Sequence, residues 1–211
     1  FDRIGYHGVI KTMTFADAGD EFDPFDFRNN SFFYVDSDFA NAMGCHWTDP
    51  RSGEILQADV LFYRNVVEKL TSWIVLQTGA YNKTVADGVD DVTLKRIIRY
   101  AASHEIGHCL GLEHNFLASS SYPTDSLRSP SFCAVNGTTP SIMDYARFNY
   151  VAQPGDMVED VYPPLLGDYD LFAIEAGYGE FDSDESFKRF VDSSQSNARL
   201  RYKKISSSKL T

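Results

Sequence analysis

Positive charge is in short supply in this chain. Lys and Arg number 19 against 30 Asp and Glu, a formal net charge of −11 over 211 residues. A surface this acidic repels phosphate backbones, which argues against nucleic acid as a partner. Cysteine is scarcer still. Cys45, Cys109 and Cys133 allow one disulfide at most, too few to staple a small scaffold; Cys45 and Cys133 could bond after export, but nothing in the sequence fixes their distance. No uninterrupted apolar run approaches the roughly 18 residues of a membrane-spanning helix. There is no internal repeat. No initiator Met or leader stands ahead of Phe1, so the chain reads as a mature product or an excised domain.

What is present belongs to a globular protein. Hydrophobic residues make up 43% and aromatics 14%, more than a disordered chain carries, and the length suits one domain with one core. Residues 4–14 read as a strand through Ile4, Tyr6, Val9 and Ile10. Asp17, Asp20, Glu21, Asp23 and Asp26 then mark an acidic solvated loop. A Ca²⁺ site is the sharper alternative there, although the spacing departs from an EF-hand. Ser31–Val35, Ala42–Trp47 and Glu54–Tyr63 are aromatic and β-branched runs that predict strands. The turn signal Asp49-Pro50-Arg51-Ser52-Gly53 joins the last two as a hairpin. Apolar spacing of three and four predicts a helix over 66–78, capped by Asn65 and stopped by Gly79. A second helix starts at Asp90 or Asp91, with Leu94, Ile97, Ile98, Ala101, Ala102 and Glu105 on one face. Residues 80–90 read as a polar loop and 115–140 as a long Ser/Pro-rich connection. Asp168–Ala176 reads as a third helix ending at Gly177, and the stretch from Ser193 as a surface tail.

Three of the five histidines fall in one string, His104-Glu105-Ile106-Gly107-His108-Cys109-Leu110-Gly111-Leu112-Glu113-His114. Chance produces this H-E-x-x-H-x-x-G-x-x-H pattern about once in 10⁵ chains of this composition. Residues four apart share a helix face, roughly 5–6 Å apart at Cβ, so His104 and His108 can aim two imidazoles at one ion. Zn²⁺ accepts His nitrogen at about 2.0–2.1 Å and, in catalytic sites, keeps one position open for water. On an unbroken helix His114 would lie roughly 15 Å along the axis from His104. The helix must therefore stop and double back, and Gly111 can take the left-handed conformation that allows it. Glu105 is placed to contact a bound water and serve as general base. Outside such a string it would be an ordinary helix-surface carboxylate. His7 and His46 read as surface or packing histidines. Cys109, about 100° around the helix from His108, reads as a small buried residue. Further on stands Ser141-Ile142-Met143-Asp144-Tyr145, where Met143 alone would be a gap-filling core thioether.

Together, the long string and the Met-containing segment resemble the signature of the metzincin zinc peptidases. The likeness covers most of residues 42–180. Asp49–Ile55, His114-Asn115-Phe116, Ser141–Asp156 and Asp168 through Tyr178 are similar to the metzincin domain of large bacterial, Bacteroides-type, zinc-dependent metalloproteases. The resemblance implies an α+β fold, with a mixed, mostly parallel twisted sheet over an active-site helix and a smaller C-terminal subdomain. Residues 1–211 would form one catalytic domain, divided into 1–111, 112–192 with the Met-turn and last helix, and a tail over 193–211. The helix over 66–78 is extra relative to shorter family members, and no long helix is expected before residue 31.

The same resemblance implies His104, His108 and His114 as ligands of one catalytic Zn²⁺ and Glu105 as the general base. It implies Met143 as the methionine packed beneath the metal. Tyr145 would be a second catalytic residue, a phenol able to ligate the metal or to donate to an oxyanion. Ala42–Trp47 would pair with a bound peptide, and Ala146–Pro154, through Phe148 and Tyr150, would wall the pocket for the residue after the cleaved bond. The implied partner is a protein or peptide substrate. Further domains upstream of Phe1 and export to the periplasm, cell surface or medium are expected. The implied function is that of a zinc endopeptidase. A catalytically silent module stapled by zinc, and an exopeptidase or other amide hydrolase, are the alternatives.

Overall fold

A computed structural model describes residues 1–156 and 163–204. Its sheet has three strands, β1 (Phe32–Val35), β2 (Ala42–Thr48) and β3 (Ile55–Tyr63), in the order β1-β3-β2. β3, at nine residues the longest of the three, takes the centre and pairs along both edges, and its Val60 and Phe62 are only 4% and 3% exposed. The β2–β3 hairpin closes as the turn signal predicts. The Asp49 N–H donates to the Glu54 carbonyl at 2.9 Å, and Gly53 supplies the positive φ of 78°. β1 pairs with β3 in parallel and β2 pairs with it antiparallel. The sheet is thus mixed, as expected, but not mostly parallel, since one of its two pairings is a hairpin.

Helix α1 (Asn65–Thr78) follows β3, and α2 (Asp91–Cys109) packs across β2 and β3. Val66, Leu70 and Ile74 of α1 meet Ile97 and Ala101 of α2, with Ala42 and Phe62 from the sheet, in the main core. Asp90 caps α2 by accepting from the Thr93 N–H. α1 has no such cap: Asn65 lies inside the first turn and donates its amide to the Asp38 carbonyl instead. The stretch over 80–90 contains a helical turn, Lys83–Ala86, because Val85 is drawn into the core.

Beyond α2, the connection over 115–140 is built from short helices, including Thr124–Leu127 and Pro130–Asn136. Helix α3 (Asp168–Tyr178) passes through Gly177 and ends at Gly179. A further helix that the sequence reading does not foresee, α4 (Asp184–Asp192), stacks Phe190 on Phe172. Residues 193–204, read as a tail, are tied back to the chain. The buried Asn115 donates to the Arg201 carbonyl and accepts from the Lys203 N–H, and Tyr202 stacks on Tyr169. Residues 205–211 of that stretch lie outside the described residues.

One expectation fails, and two questions the sequence leaves open can be described. Residues 4–14 form no strand: they pair with neither free edge of the sheet, the segment is drawn instead to the end of the last helices by Phe1 against Tyr178 and the Tyr6 hydroxyl on Glu180, and Val9 and Ile10 stay exposed. Cys45 and Cys133 do not bond. Cys133 is buried with its thiol donating to the Leu127 carbonyl, while Cys45 lies on β2 beside α2, and all three cysteines are free. The acidic segment spends several of its carboxylates on local bonds. Asp17 bonds Thr14, Asp23 accepts from the Phe25 N–H, and Asp26 pairs with Arg28.

Candidate metal centre

The C-terminus of α2 is where the site begins. The Gly111 N–H donates to the His108 carbonyl at 2.9 Å and the Leu112 N–H to the Gly107 carbonyl at 3.0 Å, with Gly111 at φ 84°. This paired closure is a Schellman motif, and it reverses the chain as the glycine in the string requires. His114 is thereby carried back beside the last turn of the helix.

The three imidazoles converge. His114 Nε2 lies 3.2 Å from His104 Nε2 and 3.1 Å from His108 Nε2. Tautomers decide what this means. His104 Nδ1 lies 2.6 Å from the Ile142 carbonyl and His108 Nδ1 lies 2.8 Å from the Leu112 carbonyl. A carbonyl oxygen only accepts, so each Nδ1 carries its proton and each Nε2 presents a bare lone pair. His114 can donate to one of those lone pairs and not to both. A cation satisfies all three. Nitrogens bound tetrahedrally at about 2.0–2.1 Å stand about 3.3 Å apart, close to the spacings seen. Among the described residues, these three are the group of His, Cys, Asp and Glu side chains able to hold a metal ion. Burial lowers the His104 pKa to about 4, favouring the neutral imidazole a metal needs.

Glu105 is buried next to this cluster. Burial raises its pKa, opposed by the Gly44 N–H, which donates to Oε2 at 2.6 Å, and by His108. That bond exists because β2 runs unusually close to α2. A Cβ on Gly44 would stand 2.0 Å from the Glu105 carbonyl oxygen, so no residue but glycine fits. Sequence reasoning does not single out Gly44; a glycine interrupting an apolar strand is the available signal.

Beneath the cluster lies the turn at 141–144. Met143 is fully buried, and a Cβ on Gly107 would meet its sulfur at 2.4 Å. Gly107, one of the unspecified positions of the string, therefore makes room for Met143. Asp170 on α3 holds the turn, accepting from Ser141 Oγ at 2.7 Å and from the Ile142 N–H at 2.9 Å. Desolvation pushes its pKa up to about 6, against the hydrogen bonds it accepts. Asp170 thus fixes Ile142, whose carbonyl orients His104. It falls within the family likeness, which by itself assigns it no role.

Tyr145 stands at the edge of the cluster, half exposed, with its ring centre 4.5 Å from that of His114. A cavity of about 330 Å³ opens over the histidines, Glu105 and Tyr145, and extends between β2 and α1. Its walls correct one expectation. Phe148 is 1% exposed and packs into the core, its N–H donating to Gln77 Oε1, and Tyr150 faces elsewhere. From that segment it is Arg147 that lines the cavity, opposite Leu70 and Trp73 of α1. His7 and His46 stay at the surface, and Cys109 has its thiol against the Asp59 carbonyl, with burial pushing it up to about 12.

No curated protein and no solved structure matches the chain. A family model described as Met-zincin matches residues 86–209, more than half of its length, and spans the α2 string, the Met143 turn and α3. Family match and α+β architecture agree, and the family implies zinc for the histidine trio: the chain belongs to the Met-zincin family.

Proposed function

We propose that this chain is a zinc-dependent endopeptidase with Glu105 as its general base. The observation that carries the reading is the convergence of three imidazole lone pairs beside a buried carboxylate at the floor of an open cavity. His104, His108 and His114 would hold the ion. Zinc bound there supplies Lewis-acid polarisation of the scissile carbonyl and acidifies a bound water.

The chain's own residues do the rest. The Gly44 N–H holds Glu105 Oε2, which leaves Oε1 to accept the proton of the attacking water and deliver it to the leaving amine. The Tyr145 hydroxyl is a donor at neutral pH, its pKa raised by burial, and stands where it can bond the developing oxyanion. β2 supplies the substrate edge. Val60, opposite Gly44, gives its N–H to Ser31 in the direction of β1, so the Val60–Gly44 pair leaves the Gly44 backbone pointing away from β3. With the Gly44 N–H engaged by Glu105, the Gly44 carbonyl and the backbone groups of Ala42 and His46 would pair with an extended peptide, which gives affinity without side-chain selection.

The test is cleavage of a mixed peptide library by zinc-loaded protein, read by mass spectrometry, with Glu105→Ala as blank. Internal cuts missing from the blank are expected. Cuts made equally by the Glu105→Ala protein refute the base assignment, and trimming confined to chain ends refutes the endopeptidase reading.

A further inference from the structure

The cavity wall is not uniformly apolar. Lys69 of α1 and Arg147, from the segment after Tyr145, both line it and both are half-buried. Arg147 has φ 59° and is the one non-glycine residue at positive φ among the described residues. An L side chain held there marks a position where the surroundings dictate the backbone. Its guanidinium carbon lies 3.4 Å from the centre of the Trp73 ring and 5.6 Å from that of Tyr145. Stacking of this kind fixes where the charge sits. Lys69 Nζ lies 4.8 Å from the same Trp73 ring and donates to the Ala40 carbonyl at 3.2 Å.

Neither cation is ion-paired with a carboxylate among the described residues. Arg199, the other half-buried cation among the described residues, is paired with Asp168. In a chain of net charge −11, partners are abundant, so two unpaired, half-buried cations on one wall are a departure. Taking charge out of water without a partner is unfavourable, and a wall so arranged lacks an anion. Glu105, the carboxylate that lines the same cavity, is turned to the Gly44 N–H.

We propose that Arg147, assisted by Lys69, selects a substrate carboxylate at the residue flanking the cleaved bond, so that the substrates are acidic peptides. The reference to a cleaved bond rests on the peptidase reading; the binding preference does not. The carboxylate could belong to an Asp or Glu side chain or to a free peptide C-terminus, and Trp73 holds both cations in place to receive it. Arg147 is then a specificity residue that touches substrate and takes no part in proton transfer.

The experiment separates the two readings. Fluorescently labelled pentapeptides with Glu, Gln or Lys at the central position, each with a free or amidated C-terminus, are titrated by anisotropy into zinc-loaded Glu105→Gln protein. The Glu peptide is expected to bind at least tenfold more tightly than Gln, less so at high salt. Arg147→Gln should bring that ratio towards one and Arg147→Lys should retain most of it, which a merely structural role would not produce. Preference that follows the free C-terminus instead assigns the site to chain ends. Equal affinity for Glu, Gln and both termini overturns the inference, whatever is cleaved. Acid-selective binding with no cleavage of the same peptides by the parent protein overturns the peptidase reading and leaves the anion-selecting wall standing.

Discussion

Replacing Gly107 with Ala puts a methyl group where the Met143 sulfur already sits. The new Cβ would lie 2.4 Å from that sulfur, and Met143 is 0% exposed, so the thioether has no solvent face to swing out to. Ordinary contact needs more than an ångström of retreat. Overpacking of this kind costs about 1–3 kcal/mol, offset by about 1 kcal/mol from the better helix propensity of Ala. The single variant should thus be destabilised by roughly 0–2 kcal/mol, too narrow a margin to decide anything alone. Met143→Ala supplies the second arm. Emptying a buried Met site costs about 2–5 kcal/mol, and the methyl introduced by Gly107→Ala then has a cavity to occupy. In the double variant the two costs should fail to add by about 1–2 kcal/mol, leaving it more stable than their sum predicts. The assay is urea denaturation of all four proteins in excess zinc, comparing midpoints at constant slope. Additivity within about 0.5 kcal/mol would refute the claim that Gly107 is there to admit Met143.

Tyr145→Phe should lower kcat by about 10–100-fold with a smaller change in KM, because the lost donor acts on developing charge, and an unchanged kcat returns Tyr145 to packing alone. Asp170 has its carboxyl raised from 3.8 to about 6, so the stability it contributes is fully present below about pH 4 and is lost as pH rises through about 6. That shift corresponds to at most about 3 kcal/mol, and the parent should lose stability relative to Asp170→Asn over this window; parallel denaturation profiles would refute it. Stripping metal with a chelator should lower Tm and added zinc should restore it, by about 4 kcal/mol of stability at a thousandfold excess over Kd. A Tm indifferent to chelation would mean that the histidine trio does not bind zinc.

Much of the centre was legible in the order of residues, for a reason of geometry. Helical spacing alone aligns His104 with His108, and the roughly 15 Å problem at His114 can be solved only by a chain reversal, for which Gly111 is the sole glycine available between the second and third histidines. The hairpin was legible through Asp49–Gly53, since turn chemistry is local. Elements without a local marker were misread. Residues 4–14 have the alternation of a strand, yet contacts of Phe1 and Tyr6 with Tyr178 and Glu180, far away in sequence, hold that segment off the sheet. The helix Asp184–Asp192 shows its apolar face through Phe187 and Phe190 but needs Phe172 and Phe181 to bury it. Three site features belong to tertiary structure alone. Gly44 and Gly107 are required by what lies opposite them, the Glu105 backbone and the Met143 sulfur, both far away in sequence. Asp170 acts on His104 through Ile142, from a helix 66 residues on. Arg147 replaced Phe148 as the cavity lining because one position at positive φ rotates the two side chains, sending the ring into the core and the guanidinium over Trp73. The order of residues determined which groups could hold a metal; packing between distant segments decided how they are oriented and what lines the space above them.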